Sequence, residues 1–193
     1  MALWWLLIPV AYLVGTFASA SLVARAKGVD IRNVGSGNPG ASNITRILGW
    51  KHGVAVFVLD ALKAALMTGL GLIVQGRPGG YVLGAAAVLG HMFPIWHGLR
   101  QGGKGVASGG GMILVLHPLV GVAAIAIWVI VSRLTKKASL ASIIAVLVIP
   151  VGLAIMRRHW WEIVVSSGIC AVIIIRHTSN IRRLISDREN ALS

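Results

Sequence analysis

Apolar residues run through this chain in long uninterrupted stretches, separated by short segments rich in glycine and basic residues. The first stretch covers 3–24; others cover 52–74, 81–97, 138–156 and 160–175, and a longer one covers 106–132. A helix needs about 20 consecutive apolar residues to cross the hydrocarbon core of a bilayer. Most of these stretches reach or approach that length, so the pattern predicts a bundle of transmembrane helices. The turn signal Arg77-Pro78-Gly79-Gly80 separates the second stretch from the third, and Arg157-Arg158-His159 separates the last two. The stretch 106–132 reads either as one span or as two short ones broken at His117-Pro118.

Charge decides between these. Lys and Arg concentrate in the cytoplasmic loops of membrane proteins. If 106–132 is two spans, giving seven in all, only Arg77, Arg157 and Arg158 fall on one side, and every other loop Lys and Arg falls opposite them. If it is one span, the basic residues divide almost evenly. The expected architecture is therefore an all-α transmembrane bundle of seven spans, a single domain over residues 1–193, with its N-terminus outside and its C-terminus in the cytoplasm. Two of those spans are too short to cross a typical core alone. They sit inside the bundle, bend at Pro118, or thin the bilayer locally. The first stretch opens MALWW without a basic leader, which marks it as a retained span rather than a cleaved signal. Gly15-xxx-Ser19 and Gly105-xxx-Gly109 have the spacing that lets helix backbones approach closely.

Composition agrees. The chain is 56% hydrophobic and only 12% charged, where a soluble domain is about 25% charged; its mean hydropathy is +0.84. The charges are lopsided, 18 Lys+Arg against 5 Asp+Glu. The basic residues lie in short clusters between apolar runs, which argues against nucleic acid and for anionic membrane lipids or an anionic substrate. One cysteine, Cys170, inside an apolar run, excludes a disulfide framework or a cysteine metal site and acts as an apolar filler. Carboxylates are too scarce for a metal cage, so neither metal nor cofactor is expected.

The polar, glycine-rich segments all fall on the expected cytoplasmic side. The first is GSGNPGASNITR, Gly35 to Arg46. Its G-x-G-x-x-G does not signal a dinucleotide fold, because a membrane span precedes it in place of a strand. The physics of anion binding remains: glycines free backbone N–H groups, and a short helix starting near Pro39 directs its positive end at an anion. Ser36, Gly37, Asn38, Pro39, Gly40, Ala41 and Asn43 build this cradle, and Arg46 adds a fixed charge. The second segment is Gly90-His91-Met92-Phe93-Pro94 followed by Gly102-Gly103-Lys104-Gly105. Gly98 to Lys104 satisfies G-x-x-x-x-G-K, but Gly105 replaces the Ser or Thr that would bind Mg²⁺, so this is an anion turn and not a nucleotide loop. Ser139 and Ser142 open a later span, where a plain N-cap role is also open. Arg176-His177-Thr178-Ser179-Asn180-Ile181-Arg182-Arg183-Leu184 closes the set. Within the second stretch, Asp60 and Lys63 share a helix face; a structural ion pair and a substrate contact are both open for them.

Together GSGNPGASNITR, GHMFP…GGKGVA, SLAS and RHTSNIRRL, in this order and over nearly the whole chain, resemble the bacterial acyl-phosphate-dependent glycerol-3-phosphate acyltransferases, the PlsY family. The resemblance implies transfer of a fatty acyl group from acyl phosphate to the 1-hydroxyl of glycerol-3-phosphate, giving lysophosphatidic acid at the cytoplasmic face of the cell (inner) membrane. It implies a soluble enzyme that makes acyl phosphate as a partner. It places Ser36 to Gly40, Asn43 and Arg46 in the first motif, Gly102, Gly103 and Lys104 in the second, Ser139 and Ser142 in the third, and His177, Asn180 and Arg182 in the last. Two departures stand out: the loop before Gly102 is one residue longer, near Gln101, and the Asp-x-x-Lys-Gly pattern ends in Ala64.

The residues agree with that chemistry. Acyl phosphate is already activated, so no covalent acyl-enzyme is needed; the work is to hold two anions and aim a hydroxyl at a carbonyl carbon. The His-x4-Asp dyad of thioester-dependent acyltransferases is absent. The expectation is that 36–41 cradles the donor phosphate and that Arg46 and Lys104 hold the phosphate of glycerol-3-phosphate, while Ser142, His177 and Asn180 orient its hydroxyls. The proton goes either to His177 or to the donor phosphate. A transporter of phosphorylated metabolites also needs cations among spans, but it calls for internal repeats and midplane polar motifs, which the sequence does not show.

Overall fold

The computed structural model describes residues 3–192, and every regular element among them is a helix. Two compact units divide at Leu116 and His117. The first contains α1 (Leu7–Gly15), α2 (Ser19–Arg25), α3 (Ala41–Leu48), α4 (Trp50–Met92) and α5 (Val106–Leu116). The second contains α6 (Pro118–Thr135), α7 (Ala138–Ile155), α8 (Trp160–Ile175) and α9 (Thr178–Ile185).

Exposure is inverted relative to a protein that folds in water. Ile73 is 83% exposed, Leu134 79% and Ile155 77%, whereas Asp60 and Glu162 are buried at 2% and 1%. In water such an apolar surface costs roughly 25 cal/mol per Å²; against lipid it costs nothing. Four stretches are long and apolar enough to cross a membrane: Trp4–Arg25, Trp50–His97, Pro118–Thr135 and Ala138–Ile155. Taken as one span, Trp160–Ile175 and Thr178–Ile185, bent by 59°, make a fifth. The chain is a multi-pass membrane protein. The seven-span count is not reached by helix length alone.

α4 is not one rod. Gln75 and Gly76 leave helical geometry, Gly76 at a φ of 62° that suits a residue without Cβ. The arms before and after this point return alongside each other. A methyl group on Gly71 would overlap the Gly79 carbonyl, one on Gly84 would overlap the Thr68 hydroxyl, and Lys63 bonds His91. The turn thus lies before Arg77-Pro78-Gly79-Gly80, which sequence alone suggests as the break; those four residues instead begin the returning arm. Pro78 sits in its first turn, where a missing N–H leaves no acceptor unpaired. Gly79 and Gly80 are packing residues, not turn residues.

Other small residues close this unit. Gly15 lies on the Ala87 carbonyl and Gly111 on the Ala61 carbonyl, so a side chain at either would collide with backbone. Gly15 thus packs as its spacing predicts, and Ser19 donates to Asp60 over 2.9 Å. Gly105 lies at φ 88° before α5, and its carbonyl accepts the Gly109 N–H. The first apolar stretch is also interrupted, between Gly15 and Ser19, where the helix stops and restarts.

In the second unit α7 is central, packed against α6, α8 and α9. α6 ends at Lys136, a left-handed cap, and α7 starts two residues later. The C-terminal segment folds back over this corner: Leu192 N–H donates to the Lys136 carbonyl over 2.6 Å, and Lys137 pairs with Asp187 at 2.8 Å. His117 precedes α6 outside helical geometry with Pro118 at the helix start, so the stretch divides into two helices, α5 and α6.

Candidate active site

The first polar loop, 26–40, is built around Asn43. That side chain is 1% exposed. Its Oδ1 accepts the Ser36 N–H at 2.9 Å, and its Nδ2 donates to the carbonyls of Val34 and Ile31 at 3.1 and 3.3 Å. Beneath it, Ile31 and Ile44 join Ala20, Ala24 and Val56 in an apolar cluster that pins the loop to α2, α3 and α4. Gly35 and Gly37 have φ of 61° and 68°, and a Cβ on Gly35 would overlap Asn43 Oδ1. Asn43 therefore shapes the loop and does not face out of it.

This narrows the cradle. The sequence suggests that the N–H groups of 36–41 point at an anion. In the fold, Ser36 N–H goes to Asn43, Gly37 N–H to the Val34 carbonyl and Gly40 N–H to the Asn38 carbonyl. Pro39 has none. Ala41 and Ser42 begin α3, where helix geometry gives their N–H groups no intrahelical acceptor and no side chain caps them. Of the expected cradle, the start of α3 thus keeps N–H groups that could meet an anion, with Arg46 one turn on and half-buried.

The second loop follows Met92. Tyr12 OH donates to the Phe93 carbonyl and Trp96 Nε1 to Thr16 Oγ1 at 3.0 Å, tying 93–97 to the first helix. Gly102 and Gly103 are buried, and Gly103 N–H donates to the His91 carbonyl at 3.1 Å. Lys104 follows, half-buried, two residues before α5, whose first N–H groups point back toward it.

The second unit holds the remaining sequence-derived residues. His177 is 3% exposed, and its Nδ1 lies 2.8 Å from the Ile173 carbonyl. A carbonyl only accepts, so Nδ1 carries a proton, and neutral His177 keeps its lone pair on Nε2. Asn180, one turn into the bend, donates from Nδ2 to Glu189 Oε1 at 2.6 Å. Arg183 Nε donates to Glu189 Oε2 at 2.8 Å, and Ser139 stands close to this carboxylate. Burial alone would raise the pKa of Glu189, but the bonds from Asn180 and Arg183, with Ser139 close by, outweigh it and hold the carboxyl below the ordinary glutamate range.

Ser142 donates to the Ala138 carbonyl at 2.8 Å and accepts from Trp128 Nε1 at 3.0 Å. Its proton is committed within α7, so it meets a ligand through a lone pair only. Arg182 is exposed, and its neighbour Arg183 is the one turned inward. Glu189 does not emerge from the sequence reading, and Arg183 enters it only as part of RHTSNIRRL, with no role of its own. The one available signal was that two of the chain's five acidic residues, Asp187 and Glu189, lie inside the basic C-terminal stretch. Among the described residues no group of three His, Cys, Asp or Glu could hold a metal ion.

These features define a class: a helical multi-pass membrane protein with glycine-rich, cationic loops at the starts of its helices. The model of the glycerol-3-phosphate acyltransferase family matches residues 5–187, and the chain belongs to that family. It is 40% identical to a glycerol-3-phosphate acyltransferase of Aquifex aeolicus over 187 residues, covering 95% of this chain and 96% of the relative. It is 38% identical to that of a Thermoanaerobacter species over 184 residues, covering 95% and 92%. The crystal structure of PlsY, an integral membrane glycerol 3-phosphate acyltransferase in its glycerol 3-phosphate form, superposes with a TM-score of 0.92 at 38% identity, covering 97% of this chain and 94% of that one. The same enzyme in its lysophosphatidic acid form gives 0.90 at 36% identity, over 97% and 94%.

Proposed function

We propose that this acyltransferase moves a fatty acyl group from acyl phosphate to the 1-hydroxyl of glycerol-3-phosphate, without metal or covalent acyl-enzyme. The hydroxyl oxygen bonds to the carbonyl carbon, and the carbonyl carbon–phosphate oxygen bond breaks. Lysophosphatidic acid and inorganic phosphate leave. The observation that carries this reading is the pair of forms in which the homologous PlsY has been solved, one with glycerol 3-phosphate and one with lysophosphatidic acid. They correspond to acceptor and product of one acyl transfer.

The start of α3 holds the donor phosphate. Arg46 and Lys104 hold the acceptor phosphate through charge-assisted bonds, each worth about 1.5–3 kcal/mol. His177 accepts the hydroxyl hydrogen at Nε2 and aims its oxygen; Asn180, fixed by Glu189, and Ser142 complete the orientation. The departing phosphate takes the proton, since it lies beside the attacking oxygen and is basic enough once released. Ser139 acts through Glu189, and Arg182 attracts anionic lipid or substrate from outside the site.

The membrane reading completes the proposal. The arms of α4 count separately, and α5, at 11 residues, extends only about 16 Å. It crosses only part of the core, beside longer neighbours. Seven spans follow, N-terminus outside and C-terminus in the cytoplasm, in the cell (inner) membrane. The polar loops then face the compartment in which a soluble enzyme makes acyl phosphate. Purified protein in detergent or vesicles, supplied with radiolabelled glycerol-3-phosphate, tests the reading. Lysophosphatidic acid should form with acyl phosphate and scarcely with acyl-CoA or acyl carrier protein; comparable turnover with acyl-CoA would defeat the donor assignment.

A further inference from the structure

Beneath Gly102 and Gly103 lies a buried cluster that the reaction scheme does not use. Lys63 Nζ has three partners: Asp60 Oδ1 at 2.9 Å, the Phe17 carbonyl at 2.9 Å and His91 Nδ1 at 2.8 Å. An ammonium has three hydrogens, and this geometry uses all of them. His91 Nδ1 therefore accepts, and the imidazole proton sits on Nε2. Asp60 Oδ1 also accepts from Ser19 Oγ at 2.9 Å. It lies 3.5 Å from His91 Nδ1, too far to compete with Lys63 for that nitrogen.

The other edge of the ring meets the anion loop. A methyl group on Gly103 would overlap His91 Nε2, and one on Gly102 would overlap the carbonyls of His91 and Met92. Gly103 N–H bonds the His91 carbonyl. The loop is thus seated on His91 from both backbone and ring, and Lys104 is the next residue. The Phe17 carbonyl is available because the first helix is interrupted between Gly15 and Ser19. Charge neutralisation does not explain the arrangement, since Asp60 and Lys63 already neutralise each other.

We infer that Asp60, Lys63 and His91 are positioning residues for the acceptor phosphate: Lys63, held by Asp60 and Phe17, fixes the tautomer and orientation of His91, and His91 sets where the Gly102–Lys104 loop stands. This rests on the reading that Lys104 holds the phosphate of glycerol-3-phosphate. Loss of the seat displaces the loop without unfolding the site, and a displacement of about 1 Å costs about 100-fold in a positioned reaction.

The test pairs steady-state kinetics with calorimetric titration of glycerol-3-phosphate in the absence of donor. His91→Leu should raise KM for glycerol-3-phosphate by up to about 100-fold, with a much smaller change in kcat at saturation. His91→Gln should recover most of the loss, because its carboxamide offers Lys63 an acceptor and the loop an N–H. Lys63→Met alone strands the Asp60 carboxylate and is apt to unfold. Asp60→Asn combined with Lys63→Met removes both charges and should raise KM as His91→Leu does. A purely structural cluster would lower the melting temperature and the active fraction while leaving KM unchanged. That outcome in folded His91→Leu or in the double variant, or a His91→Gln no better than His91→Leu, overturns the inference. Wild-type protein that fails to bind glycerol-3-phosphate overturns the acceptor-site reading itself. Wild-type protein that binds it, with variants that bind equally well, overturns only the positioning role.

Discussion

The carboxamide nitrogen of Asn180 lies 2.6 Å from Oε1 of Glu189, nine residues further along and buried against it. An amide can be turned over about its last bond with little change in shape. Here the carboxylate forbids the flip, because the inverted amide would set oxygen against oxygen. Asn180 therefore turns its oxygen away from Glu189, and the C-terminal segment is tied to α9.

Glu189→Gln should reduce activity by disordering Asn180 and Arg183, and it should lower the melting temperature. Each lost charge-assisted bond is worth about 1.5–3 kcal/mol. Because the folded-state carboxyl is held below the ordinary glutamate range, its contribution is fully present above that range and is lost as pH falls through the folded value. Wild-type stability should thus drop on acidification from pH 7 through the carboxylate range more steeply than that of Glu189→Gln. Thermal melts of both proteins across pH would show parallel curves if Glu189 contributes nothing.

His177 donates from Nδ1 to the Ile173 carbonyl, so the proposed role falls to Nε2. If it only aims the hydroxyl, His177→Gln should keep measurable turnover and His177→Ala should lose more. A folded His177→Gln without detectable turnover would assign the proton to histidine. The expected drop is then roughly 10²–10⁴-fold, the usual contribution of a general base.

Arg46→Ala and Lys104→Ala should each raise KM for glycerol-3-phosphate by roughly 10- to 100-fold, the equivalent of one charge-assisted bond. Initial-rate measurements against both substrates separate the subsites. A rise confined to the KM for acyl phosphate would exchange the two phosphate assignments.

Seven spans require opposite exposure for the loops after α6 and α7. Ser132 and Ser142 are buried, so they make poor labelling sites. Lys136 and Arg157 are exposed. Lys136→Cys should react with an impermeant thiol reagent only from the cytoplasmic side, and Arg157→Cys only from outside. Labelling of both from one side would break the topology; Cys170 is buried and contributes little background.

What the sequence determined by itself was the membrane class, most helix positions and the motifs. The stretches read at 138–156 and 160–175 appear as Ala138–Ile155 and Trp160–Ile175. Hydropathy is additive along the chain, so a run of apolar residues announces a span without reference to anything distant. Glycine-rich polar segments between spans are equally local signals. Tertiary structure decided which polar group meets which. Asn43 turns inward to close its loop, Ser142 gives its proton to Ala138, and Lys63 reaches both Phe17 and His91. It also decided where α4 turns, at Gln75 and Gly76, because Gly79 and Gly80 are needed for close packing against the other arm. Hydrogen bonds are short and directional, and their partners here lie as many as 81 residues apart. A linear pattern names the donors and acceptors, but only the packed chain brings each donor within 3 Å of one acceptor and turns it away from the rest.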